Sequence, residues 1–214
     1  MKACVLVSGG IESAALCADA LGRYETVTPV YIRQYLFWEK AELFWLRRFL
    51  KTFRPSKLKP LRVLALPMRD VYGASWSTTG KNTPGAESKD SSVYLAGRNI
   101  LLLSKTATFA ALNGIAAIEI GVLKGNPFAD STDTFFKKVS ENLSLGLSYP
   151  IVIQAPFRKL KKDGVIARFR ELPLHLTFSC LKPAKNRHCG KCNKCAERKR
   201  AFWAAGLADK TLYS

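Results

Sequence analysis

Residues 2–7 form a short apolar run that breaks into a small-residue loop, and this junction constrains the fold more than any other stretch of the chain. The run does not alternate with polar residues, which is typical of a strand buried on both faces of a parallel sheet. Apolar residues then recur at helical spacing from Ile11 to Leu21, and Gly22 is expected to end that helix. The predicted unit is a strand, a loop and a helix.

The loop between this strand and this helix reads Ser8-Gly9-Gly10-Ile11-Glu12-Ser13. Adjacent glycines open backbone angles that are closed to other residues and let N–H groups approach an anion closely. The following helix directs its positive dipole end at the same point. These features favour a cradle for phosphate or pyrophosphate, although the same residues could form a strand-to-helix turn that binds nothing.

The rest of the chain repeats the alternation of strands and helices. Strands are predicted at 26–32, 61–66, 115–122 and 151–154, and helices at 36–53, 100–112, from Asp130 or Ser131 to 145, and at 161–172. This order predicts a parallel, three-layer α/β domain over residues 1–175, followed by a small module over 176–214. In such sheets ligands bind beyond the carboxyl ends of the strands. The Ser8 loop, residues 31–34 and residues 121–130 should therefore converge. Residues 67–97 lack periodicity and are interpreted as an active-site cover.

The chain is strongly basic, with 34 Lys and Arg against 16 Asp and Glu in 214 residues and a formal net charge of +18. Such an excess of basic residues predicts attraction to polyanions or phosphorylated ligands. The alternative interpretation is a generally basic surface without a specific partner. Eight basic residues and no acidic one lie from Arg47 to Arg69. No apolar run approaches the ~20 residues that span a bilayer, so we expect a soluble cytoplasmic protein without a membrane partner.

Four of the six cysteines crowd into a C-x8-C-x2-C-x2-C pattern, which predicts a metal site in a reducing compartment. Four thiolates suit a structural zinc ion, and an iron–sulfur cluster takes the same ligands. His188 is an alternative ligand, or else a solvated or outer-sphere residue. Eight basic residues from 180 to 200 either meet RNA or an acidic partner, or compensate the charge of the metal centre. The four predicted ligands are Cys180, Cys189, Cys192 and Cys195.

Three motifs in order resemble the 7-cyano-7-deazaguanine synthase (QueC) family: the Ser8–Ser13 loop, the segment Gly97-Arg98-Asn99-Ile100-Leu101 and the four-cysteine tail. The first is similar to the S-G-G-x-D-S loop of the PP-loop ATP pyrophosphatases. The resemblance covers nearly the whole chain. It implies an adenine-nucleotide α-hydrolase fold with a doubly wound parallel sheet.

The resemblance also implies an activity and its cofactors, ATP, Mg²⁺ and structural Zn²⁺. ATP would adenylate 7-carboxy-7-deazaguanine, ammonia would displace AMP, and a second activation would dehydrate the amide to a nitrile. Arg98 and Lys162 would supply positive charge, and Lys124 and Asp130 would face the substrate or the magnesium ion. The residues implied to hold the β and γ phosphates are Ser8, Gly9, Gly10 and Ser13, and the cofactor site implied also includes Ile11, Glu12 and Lys124.

This sequence departs from the family pattern at three places. Glu12 stands where the family loop has Asp, Tyr31–Tyr35 replaces Tyr-Gly-Gln-Arg-His, and Asn126–Asp130 replaces Gly-Tyr-Pro-Asp-Cys. Three alternatives therefore remain open: transfer of the activated acid to another acceptor, modification of tRNA, and a zinc-bearing nucleic-acid-binding protein with a vestigial loop. A tRNA, protein or other polyanionic partner and a homodimer also remain open.

Overall fold

The computed structural model describes residues 1–53 and 56–214, and within them five strands form one parallel sheet in the order β3-β2-β1-β4-β5. The order confirms the doubly wound α/β architecture. The central strand is the apolar run of residues 2–7. The strands are β1 (Lys2–Leu6), β2 (Thr26–Arg33), β3 (Arg62–Ala65), β4 (Ala117–Glu119) and β5 (Val152–Gln154).

Helices cover both faces of the sheet and give the predicted three layers. Alternate residues of β1 point to opposite faces, so that Val5 joins the core under one helical layer and Cys4 joins the core under the other. The helices are α1 (Ile11–Arg23), α2 (Glu39–Leu50), α3 (Arg69–Tyr72), α4 (Trp76–Thr79), α5 (Arg98–Leu112), α6 (Asp133–Leu147), α7 (Lys162–Arg168) and α8 (Asn193–Ala204).

Two predicted helix ends of the amino-terminal half are wrong for identifiable reasons. Gly22 does not end α1, because the backbone N–H of Tyr24 still bonds to Ala20 O and the helix continues to Arg23. The second helix begins at Glu39 rather than at residue 36, because the Glu39 carboxylate accepts the N–H groups of Gln34 and Tyr35 at 2.6 and 2.9 Å and holds that stretch in a turn.

Two predicted helix ends of the carboxyl-terminal half also differ from those in the structure. Thr132, not Asp130 or Ser131, caps α6, since its side chain accepts the N–H of Phe135 at 3.1 Å. Helix α7 stops at Arg168, and residues 169–172 turn before Pro173, which disfavours helical angles at the residue preceding it.

The four-cysteine segment packs against the start of α2 and against residues 67–97. The shared apolar cluster includes Trp38, Trp45, Leu95 and Phe178. Trp38 also stacks on Trp76 with ring centroids 5.7 Å apart. Trp38 and Trp45 are thus core aromatics, whereas Phe44 is 41% exposed.

Residues 67–97 are ordered around short helices and are fastened to the cysteine segment. The backbone N–H of Asn193 donates to Pro84 O at 2.9 Å, and its side-chain amide donates to Ser88 O at 2.8 Å. Ala201 and Phe202 of α8 join the apolar core beneath α1 and α7. The domain boundary at 175/176 stays a prediction. Within residues 1–53 and 56–214, no helix is both long and apolar enough to cross a membrane.

Candidate nucleotide site

The Ser8–Ser13 loop follows β1 and begins α1, as predicted, and is held by its own hydroxyl groups. Ser8 N donates to Ser13 Oγ at 3.1 Å, and Ser13 Oγ donates to Gly10 O at 3.1 Å. The two hydroxyl oxygens lie 3.3 Å apart. Ser8 is exposed at the mouth of the loop while Ser13 is buried. The loop therefore offers an accessible hydroxyl and backbone donors at the positive end of a 13-residue helix.

Gly9 has a backbone conformation that favours glycine. Its φ is +81°, and a Cβ at this position would lie 3.4 Å from both Glu42 O and Leu46 Cβ on α2. Gly9 O also accepts the N–H of Phe178 at 2.7 Å, which ties the loop to the segment that precedes Cys180. The loop is thus clamped between α2 and the cysteine segment.

Two adjoining cavities of about 260 and 370 Å³ open beside the loop and share Ser8, Glu42, Arg98 and Lys194 in their walls. Most of the polar side chains proposed from the sequence line one or both of them. Ile11 does not, because its side chain packs into the core. The first cavity also contains Ser13 and Asp130, and the second contains Gly10, Glu12, Lys124 and Lys162.

Lys162, expected to supply positive charge near phosphate, lies between two carboxylates. Its Nζ is 2.7 Å from Glu12 and 2.6 Å from Glu197, and Lys194 lies 2.7 Å from the other oxygen of Glu197. Burial opposes the charge on Lys162, but the two carboxylates outweigh it and raise its pKa to about 12. Burial likewise disfavours the charge on Glu197, yet Lys162 and Lys194 lower its pKa to about 2. The cluster therefore contains two basic and two acidic side chains in direct contact.

Arg98 enters both cavities from the start of α5, where the motif predicted it. Its Nε donates to Gln34 Oε1 at 3.1 Å. Asp130 lies on the neighbouring loop and accepts the backbone N–H of Asn99 at 3.2 Å, so its carboxylate also caps α5. Lys124 is an exposed residue at the rim of the second cavity.

One acidic residue of α2, Glu42, lines both cavities and was missed by the sequence analysis, and Glu39 lies buried one turn before it without lining either cavity. Glu39 and Glu42 are only 4% and 6% exposed, and Tyr31 Oη donates to Glu42 Oε2 at 2.6 Å. Burial raises the pKa of Glu42 to about 7, with Arg98 and the Tyr31 hydrogen bond acting in the opposite direction. The sequence feature that could have identified Glu42 is the presence of two acidic residues, three positions apart, on the otherwise apolar face of an amphipathic helix.

The four predicted metal-binding cysteines come together: one Sγ from each lies within 4.8 Å of the others. Tetrahedral zinc with Zn–S bonds of ~2.3 Å needs sulfurs roughly 3.8 Å apart, so modest tightening would complete a site. The N–H groups of Leu181 and Cys189 already donate to sulfurs of the cluster, at 3.4 and 3.2 Å. The donor set fits a closed metal site, and zinc could bind there.

His188 is not solvated, because it is 2% exposed and stacks on Phe178 with ring centroids 4.5 Å apart. Its Nε2 accepts the N–H of Ser179 at 3.2 Å, which is an outer-sphere role beside the cysteines. Part of the basic charge nearby is engaged internally. Arg198 is fully buried and donates to Thr211, Thr177 and Leu174 O, each at 2.8 Å.

Cys4 and Cys17 lie in the two cores of the sheet domain and outside the metal cluster. Burial raises the pKa of each thiol to about 12, so both remain protonated at neutral pH. Both cysteines therefore act as packing residues of the two cores.

The glycine-containing loop after β1, the strand order and the cavities beyond the carboxyl ends of the strands are the arrangement of an α/β protein of the PP-loop type. Comparison with known families refines this class. The model of the family described as "Queuosine biosynthesis protein QueC" matches residues 2–206, and the chain belongs to that family.

Curated relatives support the assignment. A 7-cyano-7-deazaguanine synthase of Leptospira interrogans is 29% identical over 224 residues, covering 98% of this chain and 89% of the relative. A 7-cyano-7-deazaguanine synthase 1 of Desulfitobacterium hafniense is 32% identical over 207 residues, covering 94% and 91%. The protein of that name from Methanocaldococcus jannaschii is 28% identical over 236 residues, covering 100% and 99%.

Two solved structures share the fold at low sequence identity. A predicted subunit of a tRNA methyltransferase from Methanocaldococcus jannaschii superposes with a TM-score of 0.51 at 12% identity, covering 100% of this chain and 92% of that one. A 4-thiouridine synthetase, solved with RNA and bound ATP, gives 0.52 at 18% identity and covers 96% of this chain and 50% of that one. At these identities the likeness concerns the fold alone.

Proposed function

We propose that this protein is an ATP-dependent 7-cyano-7-deazaguanine synthase that converts 7-carboxy-7-deazaguanine and ammonia into the nitrile. The match of residues 2–206 to the QueC family carries the proposal. The phosphate loop beside two connected cavities supports it, because the reaction requires a nucleotide and an acid substrate to meet.

ATP binds with its phosphates against the Ser8–Ser13 loop. The Ser8 hydroxyl, the loop N–H groups and the dipole of α1 hold the pyrophosphate that leaves. The carboxylate of the acid attacks the α-phosphorus, the bond to pyrophosphate breaks, and an acyl adenylate remains. Arg98, which lines the same cavity as the loop, stabilises negative charge on phosphate oxygens.

Lys162 acts through Glu12 in this scheme. It anchors the Glu12 carboxylate at the second cavity, 2.7 Å from its own ammonium group. Magnesium prefers oxygen ligands and is commonly bound by one or two carboxylates together with substrate phosphates. Glu12 and Ser8 supply oxygens of that kind beside the loop, and Asp130 supplies a carboxylate at the first cavity. The ion, when bound, would neutralise charge on the phosphates.

The acid substrate occupies the first cavity. Its walls combine apolar side chains, among them Leu102, Ile120 and Val122, with the aromatic pair Tyr94 and Phe128, whose ring centroids are 4.7 Å apart. Such walls suit a planar heterocycle. The polar groups beside them, Asn99, Asp130 and Lys124 at the rim of the adjoining cavity, would orient it.

Zinc occupies the four-cysteine cluster as a structural ion. All four ligand positions would be filled by thiolates, which leaves no position for a catalytic water. The ion would fix the cysteine segment against the loop, because Phe178 N binds Gly9 O two residues before Cys180.

The test combines purified protein with magnesium ATP, ammonium chloride and 7-carboxy-7-deazaguanine and follows AMP and the nitrile by mass spectrometry. Both should form and should depend on the acid. AMP without nitrile would favour another acceptor, and no AMP with any acid or tRNA would refute the enzyme assignment. Arg98→Ala should abolish AMP release, whereas Lys105→Ala, an exposed cation on the same helix that lines neither cavity, should not.

A further inference from the structure

Glu42 lies directly beneath the phosphate loop and faces both cavities. Its backbone oxygen and Cγ approach Gly9, where a Cβ would lie 3.4 and 3.5 Å from them. Glu42 lines both cavities, as Ser8 and Arg98 also do. It is therefore a buried acid at the place where the acyl adenylate and its nucleophile would meet.

The other carboxylates around Glu42 are engaged. Glu39 accepts two backbone N–H groups, Glu12 and Glu197 are paired with Lys162, and Asp130 caps α5. Glu42 has a neutral donor instead, the phenol of Tyr31. A carboxylate that is not neutralised by a lysine remains able to accept a proton.

The charged and titratable groups that face Glu42 come from four elements. Arg98 from α5 and Tyr31 from β2 favour its ionised form, Glu39 from α2 disfavours it, and Lys194 from α8 lines the same cavities. Burial is the largest influence and brings the pKa of Glu42 to about 7. Proton acceptors work best when they titrate near the working pH.

The ammonia-dependent step needs such a group, because ammonium carries no lone pair and is the main form at neutral pH. We propose that Glu42 is the base that deprotonates ammonium beside the acyl adenylate, an inference that rests on the proposed function. The Glu42 carboxylate takes one proton from ammonium. The freed lone pair forms the C–N bond, the C–O bond to AMP breaks with its electron pair on AMP, and the second proton leaves the nitrogen to solvent.

Glu42→Gln keeps the shape of the side chain and removes the base. Acid-dependent ATP–pyrophosphate exchange, which reports adenylation alone, should stay within about threefold of wild type. Amide and nitrile formation from ammonium should fall by roughly 10²–10⁴-fold in kcat/KM for ammonia, the usual range for loss of a general base. Methoxyamine, whose conjugate acid is far more acidic than ammonium, arrives neutral and should restore amide-type product formation in the variant.

The pH dependence of kcat/KM for ammonia distinguishes a base from a residue that only stabilises the structure, because a structural role of Glu42 would leave this dependence unchanged. In wild type, kcat/KM expressed per total ammonia should fall on the acidic side as Glu42 becomes protonated, instead of following the fraction of free ammonia, because ammonium is the form that the site uses. Tyr31→Phe removes a hydrogen bond that lowers the pKa of Glu42, so this limb should move to higher pH. In Glu42→Gln this limb should be replaced by a profile that follows the fraction of free ammonia, because only neutral ammonia can then react.

Each outcome has a distinct meaning. If wild type shows no acid-dependent exchange and no nitrile, the proposed function fails. If wild type is active and Glu42→Gln uses ammonium with unchanged kcat/KM and pH profile, only the role of Glu42 is overturned. Loss of exchange in a folded Glu42→Gln, or failure of methoxyamine to restore product, would also overturn it.

Discussion

Replacement of Gly9 by alanine should destabilise the protein, while the same replacement at Gly10 should not. Gly9 has φ +81°, a left-handed conformation that costs an L-residue roughly 1–2 kcal/mol. Gly10 has φ −67° and ψ 164°, which alanine adopts freely. Both changes reduce the entropy of the unfolded chain by a similar amount, worth about 0.4–1 kcal/mol, so that contribution cancels between the two variants.

The contacts that an added Cβ would make increase the expected difference in stability between Gly9→Ala and Gly10→Ala. A Cβ at Gly9 would reach backbone and Cβ atoms of α2 at 3.4 Å, which cannot swing away, whereas a Cβ at Gly10 meets the flexible end of Glu12 at 3.2 Å. The free energy of unfolding of Gly9→Ala should therefore lie about 1–2 kcal/mol below that of Gly10→Ala. For a chain of this size the expected difference in Tm is roughly 2–8 °C.

Urea unfolding followed by circular dichroism measures this difference, with the m-values of the two variants compared to ensure that only stability has changed. Equal unfolding free energies for Gly9→Ala and Gly10→Ala would refute the argument that the loop needs a left-handed residue at position 9. A deficit in ATP–pyrophosphate exchange confined to Gly9→Ala would extend the same conclusion to phosphate binding.

Three further predictions follow from buried groups. The pKa of Glu42 is raised from 4.5 to about 7, so the folded state holds this proton more tightly than the unfolded chain, and Glu42 lowers stability as pH rises through that window. The free energy of unfolding of Glu42→Gln, measured in urea, should therefore gain roughly 3 kcal/mol on that of wild type between pH 5 and pH 8. An equal difference between the two proteins at both pH values would contradict this. Arg198→Ala leaves three buried acceptors without their donor, so it should lower the free energy of unfolding by about 3–5 kcal/mol. The control Lys199→Ala removes an exposed side chain and should lower it by less than about 1 kcal/mol, and thermal unfolding measures both. Elemental analysis should find one zinc per chain and none in Cys192→Ser, and chelation should lower Tm; iron with sulfide would instead identify a cluster.

Local sequence patterns were sufficient for the architecture. The apolar run of β1, the glycine loop and the repeated alternation of elements predicted a parallel, three-layer α/β domain, since hydrophobic periodicity and turn residues act over a few positions, and the family resemblance implied that its sheet is doubly wound. The cysteine spacing likewise predicted the cluster. Helix ends were predicted less well, because the side chain of Glu39 and the cap at Thr132 decide them through single hydrogen bonds.

The charge arrangement of the site was decided by tertiary structure. Lys162 was expected to supply positive charge near phosphate or substrate, which stays a prediction, and folding pairs it with Glu12 and Glu197 from distant parts of the chain. The base proposed here, Glu42, looks in sequence like one more polar residue on α2. Its burial under Gly9 and its bond to Tyr31 arise only when the loop packs on that helix. Sequence thus determined which elements form and where the loop lies, while the packing of remote segments decided which charges are neutralised and which remain able to react, because desolvation and ion pairing depend on distance in space.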